Sequence, residues 1–584
     1  MTVAISRLDL RQAAPQPVTA APAPRAWVWP AVIVAAAAVC WTIALPSMRD
    51  AEYDPYGLLF AASPLFAASI VLGALGFVVA IARRALRTGG VALVVSVLLL
   101  RLPSALATEE PLYSWTYKHF GVIDYIQTYG SLASGVDVYH EWPGMFAVFA
   151  WLNTTTGMVN TDWATWFAVA VDLALAGAVY LLGRSIGLAA GPALVAGFIA
   201  QAANWVAQDY LSPQAVAFTL GIVVVALVLA TPRSRAAAWI ALFLFVAIVV
   251  SHQLTPYWLI AVTLLLTILG KVRPRYLVVL FIAVALGYVI LHLQTVLNFG
   301  NPLSFNLAGN ASTNTHGANP SDAQVLSSWS ARITAALVWV GAAGILVARF
   351  LRDRSAWREI AALATVAFSS VLILGGQSYG GEAILRVFLY SLPGCAVVLA
   401  PAVHRALVGG AGRAARIAAG TGLVAVMVLS AQAYFGPWFA NRVTTDSLEV
   451  ATDILENQPT DTLTIGVAPG APGRVVARYV EFVRAQRAFD VGVDTWVNAW
   501  PGWENYDFSD PARFNRLTDT LVERGQRTTI VVTQQMHYYA EYYGVFSEGS
   551  LDRFTQILFD DPRWELVHDT PDVLEFRLRL EDAP

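Results

Sequence analysis

Long apolar runs separated by short charged clusters dominate most of the chain. Crossing a hydrocarbon core of about 30 Å takes roughly 20 helical residues, and about thirteen windows qualify. They fall at 27–46, 58–82, 91–107, 161–183, 186–205, 213–231, 236–251, 255–270, 276–294, 331–349, 359–376, 384–403 and 417–437. Beyond about residue 440 the pattern changes. "DTLTIGVA" and "RTTIVVT" read as buried strands, and "GRVVARYVEFVRAQRA" and "PARFNRLTDTLVERG" as amphipathic helices. "RWELVHD" and "DVLEFRLRL" alternate around a "TP" turn and predict a terminal hairpin. The expected organisation is a disordered cytoplasmic tail at 1–25, a transmembrane domain at 26–437 and an extracytoplasmic α/β domain at 438–584.

Composition agrees with this reading. The chain has 584 residues, of which 57% are hydrophobic and 13% charged, and its mean hydropathy is +0.56, too apolar for one water-soluble globule. A formal net charge of −3 gives no electrostatic footprint for nucleic acid. Cys40 and Cys395, the two cysteines, both lie in apolar windows, so neither a disulfide framework nor a cysteine metal cluster is available. Richness in Ala and Gly, with Arg in place of Lys, favours a bacterial plasma membrane.

Basic residues fix an expected orientation. Arg83, Arg84 and Arg87, then Arg184, Arg233 and Arg235, Lys271, Arg273 and Arg275, Arg349 to Arg358, and Arg405 to Arg416 recur in alternate loops. By the positive-inside rule these loops are cytoplasmic. The N-terminus is then inside and the C-terminal domain outside, with outer loops at 108–160 and 295–330. Glu109 and Glu110 of "ATEEPLYSW" emerge on the outer face.

Charges within or at the ends of spans are costly, by about 2.5–3.5 kcal/mol each at a helix centre. Arg101 and Asp172 lie at similar depth, either as a structural ion pair or with Arg101 meeting a lipid phosphate. At the outer ends, "WVAQDYLSPQ" offers Gln208 and Asp209, and "SHQLTPY" offers His252. "GGQSYGGEAILR" offers Gln377, Tyr379, Glu382 and Arg386. Each has a plain reading as well: short loops need polar residues to turn, and a histidine at this level commonly serves the interface. Arg386, at the start of a long apolar span, is placed to hold a phosphate at the membrane surface. The aromatic first loop, with Phe120, Ile123 and Ile126 at helical spacing, predicts helices along the membrane surface. "GVAPGAPGR" has two prolines and no Lys-Ser/Thr ending, and reads as a turn. Trp496, Trp500, Trp503 and Tyr506 of the tail read as core or as a glycan-binding surface.

These features resemble the GT-C superfamily of polyprenyl-phosphate-dependent membrane glycosyltransferases. In that family a core helix ends outside in an acidic pair followed by an aromatic, and here "EEPLY" stands in that place with Glu109, Glu110 and Tyr113. A second acid in the next outer loop is matched by Asp209. The first acid here is Glu instead of the usual Asp, and a two-helix hairpin precedes the core. The resemblance implies a polytopic α-helical membrane protein of about 13 transmembrane helices, GT-C-like, with a C-terminal extracytoplasmic α/β domain. It implies transfer of a sugar from a polyprenyl-phosphate donor to an extracytoplasmic glycan, lipid or protein acceptor.

Glu109 is the first choice as base with Glu110 beside it as binder, the assignment between them open. Tyr113, Gln208, Asp209, His252, Gln377, Tyr379, Glu382 and Arg386 are the expected substrate contacts. No cofactor is expected. A divalent metal on Glu109, Glu110, Asp209 and Glu382 is possible but not favoured, since a monophosphate donor leaves less charge to neutralise than a diphosphate. The alternatives are a transporter or flippase, which would favour midplane charges and internal repeats, and a polymerase or ligase of lipid-linked glycans.

Overall fold

The computed structural model describes residues 25–298, 320–375, 382–471, 473–485 and 509–580. A helix occupies each of the windows above. Eight of these helices, among the described residues, are long and apolar enough to cross a membrane by length and composition. Ala190–Ala202, Arg235–Val249, Thr255–Ile268 and Leu277–Leu291 are shorter apolar helices, and Leu86–Arg101 is comparable in length. Ser-Pro steps start two of the long helices. Ser63 and Ser212 cap Pro64–Ala82 and Pro213–Ala230, each hydroxyl accepting a backbone N–H while proline stands where no donor is needed.

Boundaries depart from the windows where local chemistry overrides hydropathy. The window at 331–349 belongs to a helix that begins at Asp322, because Ser321 accepts from the Gln324 N–H at 3.1 Å. The window at 58–82 breaks at Ala62 and Ser63, and the one at 359–376 tightens into a 3₁₀ turn over Ser369–Gly375. The first loop holds two helices, Ser114–Tyr129 and Gly144–Thr156. Both stop at a left-handed glycine, Gly130 and Gly157.

The C-terminal domain is a four-stranded sheet of order β1-β2-β4-β3, with β1 Leu463–Gly466, β2 Thr528–Thr533, β3 Trp564–Asp569 and β4 Val573–Leu578. β1 and β2 run parallel, and β4 pairs antiparallel with both β2 and β3. β2 is buried along its whole length, as a central strand of "TTIVVT" composition should be. Helices Pro511–Glu523, Gln534–Tyr543 and Ser550–Asp560 accompany the sheet. The expected helix over 473–488 is observed only at Tyr479–Ala485; residues 474–477 instead carry contacts to the first loop, and 486–488 lie outside the described residues.

The three largest apolar clusters among the described residues organise the fold. One fills the helical domain, and one lies within the sheet domain around Phe514, Ile530, Phe554 and Phe576. The third joins the first loop to the tail, packing Tyr117, Phe120, Ile123 and Phe146 against Val443, Leu455, Tyr479 and Phe482. The sheet domain is therefore seated on the loop that carries the glutamates.

Candidate active site

Glu109 and Glu110 follow the short helix Pro103–Leu106 and precede a strained residue. Tyr113 has φ 71° and ψ 117°, unfavourable for a side-chain-bearing residue, and is held there by its N–H donating to the Asn441 carbonyl at 2.9 Å. The glutamates face the start of helix Thr445–Asn457. Glu109, 51% exposed, accepts from Arg442 Nη2 and from the Thr445 N–H, both at 3.4 Å. Glu110 is half-buried, and its Oε1 accepts from the Thr445 hydroxyl at 3.4 Å. Its Oε2 is buried with no hydrogen-bond partner among the described residues. Burial raises the Glu110 carboxyl above the ordinary range, against the Thr445 hydrogen bond and with help from Glu109 and Glu449.

Asp209 does not share this surface. It belongs to a buried ionic cluster in which Arg101 contacts Asp172 and, through Nε at 2.8 Å, Asp209. Arg101 Nη2 donates to the Asn204 carbonyl at 3.0 Å, and its guanidinium lies 4.0 Å above the Tyr434 ring. The Tyr434 hydroxyl donates to Asp209 Oδ2 at 3.1 Å. The Arg101–Asp172 pair is thus a structural pair with a third member.

Residues 208–210 tie this cluster to both sides. The Tyr210 ring lies 5.4 Å from Tyr113, and Gln208 Nε2 donates to Glu382 Oε2 at 3.5 Å. Glu382 in turn accepts from Arg386 Nη2 at 3.0 Å. His252 is close enough to feel the charge of Arg386, and burial followed by that charge lowers it to about 3. It is a neutral group, bonded through Nδ1 to Thr255, and not a cation for phosphate. Gln377 and Tyr379 lie outside the described residues, as do Trp496, Trp500, Trp503 and Tyr506.

The result is a strip running from Glu109 and Glu110 through Tyr113, Tyr210, Gln208 and Glu382 to Arg386. Glu109, Glu110, Asp209 and Glu382 are divided among three sets of partners, and no group of three or more His, Cys, Asp or Glu among the described residues could hold a metal ion.

Sequence reasoning missed Arg442. It follows "PWFAN" just past the last apolar window, and its being a lone arginine at an outer helix end was the available signal. Arg442 also lines a pocket of about 370 Å³ between the helical domain and the sheet domain, together with Tyr53, Gln535, Tyr538 and Asp572.

No protein-family model and no curated protein matches the chain. Among solved structures it is similar to the Archaeoglobus fulgidus oligosaccharyltransferase tethered to an acceptor peptide containing the NVT sequon. Identity is 13% over 80% of this chain and 72% of that one, with a TM-score of 0.47. It is also similar to ArnT from Cupriavidus metallidurans in the apo state, at 12% identity over 84% of this chain and 98% of that one, with a TM-score of 0.43.

Proposed function

We propose that the protein is a multi-pass membrane glycosyltransferase that moves a sugar from a polyprenyl-phosphate donor to an acceptor hydroxyl on the extracytoplasmic side. The observation that carries this reading is the exposed Glu109 carboxylate, loosely held beside Arg442, which itself lines a pocket large enough for a small molecule. In the reaction the acceptor oxygen bonds to the anomeric carbon, the bond from that carbon to the phosphate oxygen breaks, and the lipid phosphate leaves with the electron pair. The acceptor proton passes to a carboxylate.

Glu109 is the base: it is accessible, and its two contacts at 3.4 Å leave room for an acceptor hydroxyl. Glu110, half-buried and with its carboxyl raised by that burial, positions the Thr445 turn against it. Arg386 is the cation for the donor phosphate, which takes the place of Glu382 on its guanidinium. Gln208, Tyr210 and Tyr113 form the floor between the two ends. Asp209 acts from within the Arg101 cluster, fixing the 208–210 segment.

The test is transfer by the purified full chain from labelled polyprenyl-phosphate sugars. Loss of a general base costs at least about 10²-fold, so Glu109→Gln should fall by that much with folding intact. Transfer at the wild-type rate in Glu109→Gln would remove the assignment.

A further inference from the structure

The pocket of about 370 Å³ is walled by three separate stretches of chain: Tyr53 just past the first helix, Arg442 and Thr444 of the segment after the last, and Gln535, Tyr538 and Asp572 of the sheet domain. Its volume falls in the range of small-molecule sites, about 300–1,000 Å³. Two polar atoms of its lining residues are buried behind its surface. Gln535 is 7% exposed and donates through Nε2 to the Ala440 carbonyl at 3.0 Å, which fixes the amide and leaves Oε1 buried without a partner. Arg442 Nε is likewise buried without a partner.

A guanidinium and a carboxylate, Arg442 and Asp572, in the lining of one pocket select a ligand that both gives and takes hydrogen bonds. An anion would satisfy Arg442 and oppose Asp572. A cation would do the reverse. Sugar hydroxyls serve both. One wall is aromatic: the Tyr53 and Tyr538 rings stack at 4.1 Å and 7°, with Phe439 edge-on to Tyr53 at 5.5 Å. Such a surface suits the C–H face of a pyranose or furanose ring.

We propose that this pocket binds a saccharide unit of the acceptor, so that the sheet domain supplies acceptor specificity through Gln535, Tyr538 and Asp572. The proposal rests on the transferase reading above and names the acceptor class for it. Arg442 connects the two, since it lines the pocket and its Nη2 contacts Glu109.

The full chain in nanodiscs is titrated with soluble neutral oligosaccharides of two to four units in gluco, manno, galacto and arabino series, and separately with inorganic phosphate, by saturation-transfer NMR. One saccharide series should bind, and binding should weaken about tenfold in Tyr538→Ala and in the shape-preserving Asp572→Asn, as expected for loss of a ring contact or a charged hydrogen bond. Phosphate should not displace the saccharide. Where transfer is measured, the acceptor KM should rise about tenfold in both variants while the donor KM stays put. Absence of saccharide binding, displacement by phosphate, or binding indifferent to both variants overturns the pocket assignment. Variant-sensitive binding without transfer from any polyprenyl-phosphate sugar sinks the transferase reading and leaves the pocket. Transfer with an unchanged acceptor KM in both variants does the opposite.

Discussion

Glu110 and Arg101 show two ways in which a charge beside a membrane is managed. Because burial raises the Glu110 carboxyl, its neutral form is the one the fold favours. Its contribution to stability is therefore fully present below the ordinary carboxylate pKa of 4.5 and is lost as pH rises through the raised folded value. On the proposed mechanism catalysis should move the other way: ionised Glu110 adds negative charge beside Glu109, the proposed base, and favours proton transfer to it. Transfer should therefore rise with pH through a midpoint above the ordinary carboxylate range, and Glu110→Gln should flatten that rise; a pH–rate profile of the two proteins checks it. Arg101 is different, being fully buried between two acids. Arg101→Met leaves Asp172 and Asp209 facing each other without a counter-charge, which should cost about 3–5 kcal/mol. Thermal unfolding in detergent should show a large loss for Arg101→Met and a smaller one for Asp172→Asn, which keeps the Arg101–Asp209 contact; equal, negligible losses would remove the structural role. The cost of intramembrane charge made Arg101 and Asp172 legible as a pair. Asp209 was not legible as their third member, because it comes from a loop whose path back toward Arg101 is set by packing and not by any local pattern.

Apolar periodicity made the helices and strands legible as elements, while their contacts with one another were not. The helix Ser114–Tyr129 was readable from Phe120, Ile123 and Ile126, but its partner was not. That partner is the tail segment around 474–479: a Cβ on Gly121 would stand 2.0 Å from the Arg474 carbonyl oxygen. The same contact carries a buried polar set. Asp124 Oδ2 accepts from the Ala477 N–H at 2.7 Å, and Asp137 Oδ2 accepts from Arg474 Nη1 at 3.0 Å and from the Tyr479 hydroxyl at 2.8 Å. His140 Nδ1 accepts from the Ala133 N–H, so Nε2 carries the proton and donates to the Tyr479 hydroxyl at 2.9 Å. Residues more than 300 positions apart meet here, and "GVDVYHEW" reads in sequence only as an aromatic, polar loop. Gly121→Ala should force the segments apart at an overpacking cost of about 1–3 kcal/mol. Proteolysis of the 442–445 connection should then quicken, with the helical domain intact. Burial also lowers His140 from 6.5, against the pull of Asp137 and Glu141. Its neutral form is the docked one, so its contribution holds above about 6.5 and is lost as pH falls through the folded value. Acidification should speed the same cleavage in the wild type, and a cleavage rate that is flat with pH would remove His140 from the contact.

At the scale of the whole molecule, the side of the membrane on which the sheet domain stands and the side that carries the glutamates are one question. Glu109 and Glu110 contact Arg442 and Thr445, and Tyr113 is bonded to Asn441, so whichever side receives the tail also receives the acids. A polyprenyl-phosphate donor and an extracytoplasmic acceptor require that side to be the outer one, as the arginine-rich alternate loops predict. Single cysteines decide it. Cys40 and Cys395 are free, and Cys395 is buried, so both are first replaced by alanine. Glu548 lies exposed in the sheet domain, and Asp353 lies exposed among Arg352, Arg354 and Arg358. In intact cells a membrane-impermeant thiol reagent should label Glu548→Cys and spare Asp353→Cys until the membrane is opened. The reverse pattern would put the glutamates in the cytoplasm, where the acceptor assignment has no substrate to act on. Equal labelling before permeabilisation would place both positions on one face and require an even number of crossings between them, against the three crossings expected for the helices at Trp357–Phe368, Ala383–Leu407 and Arg413–Phe435.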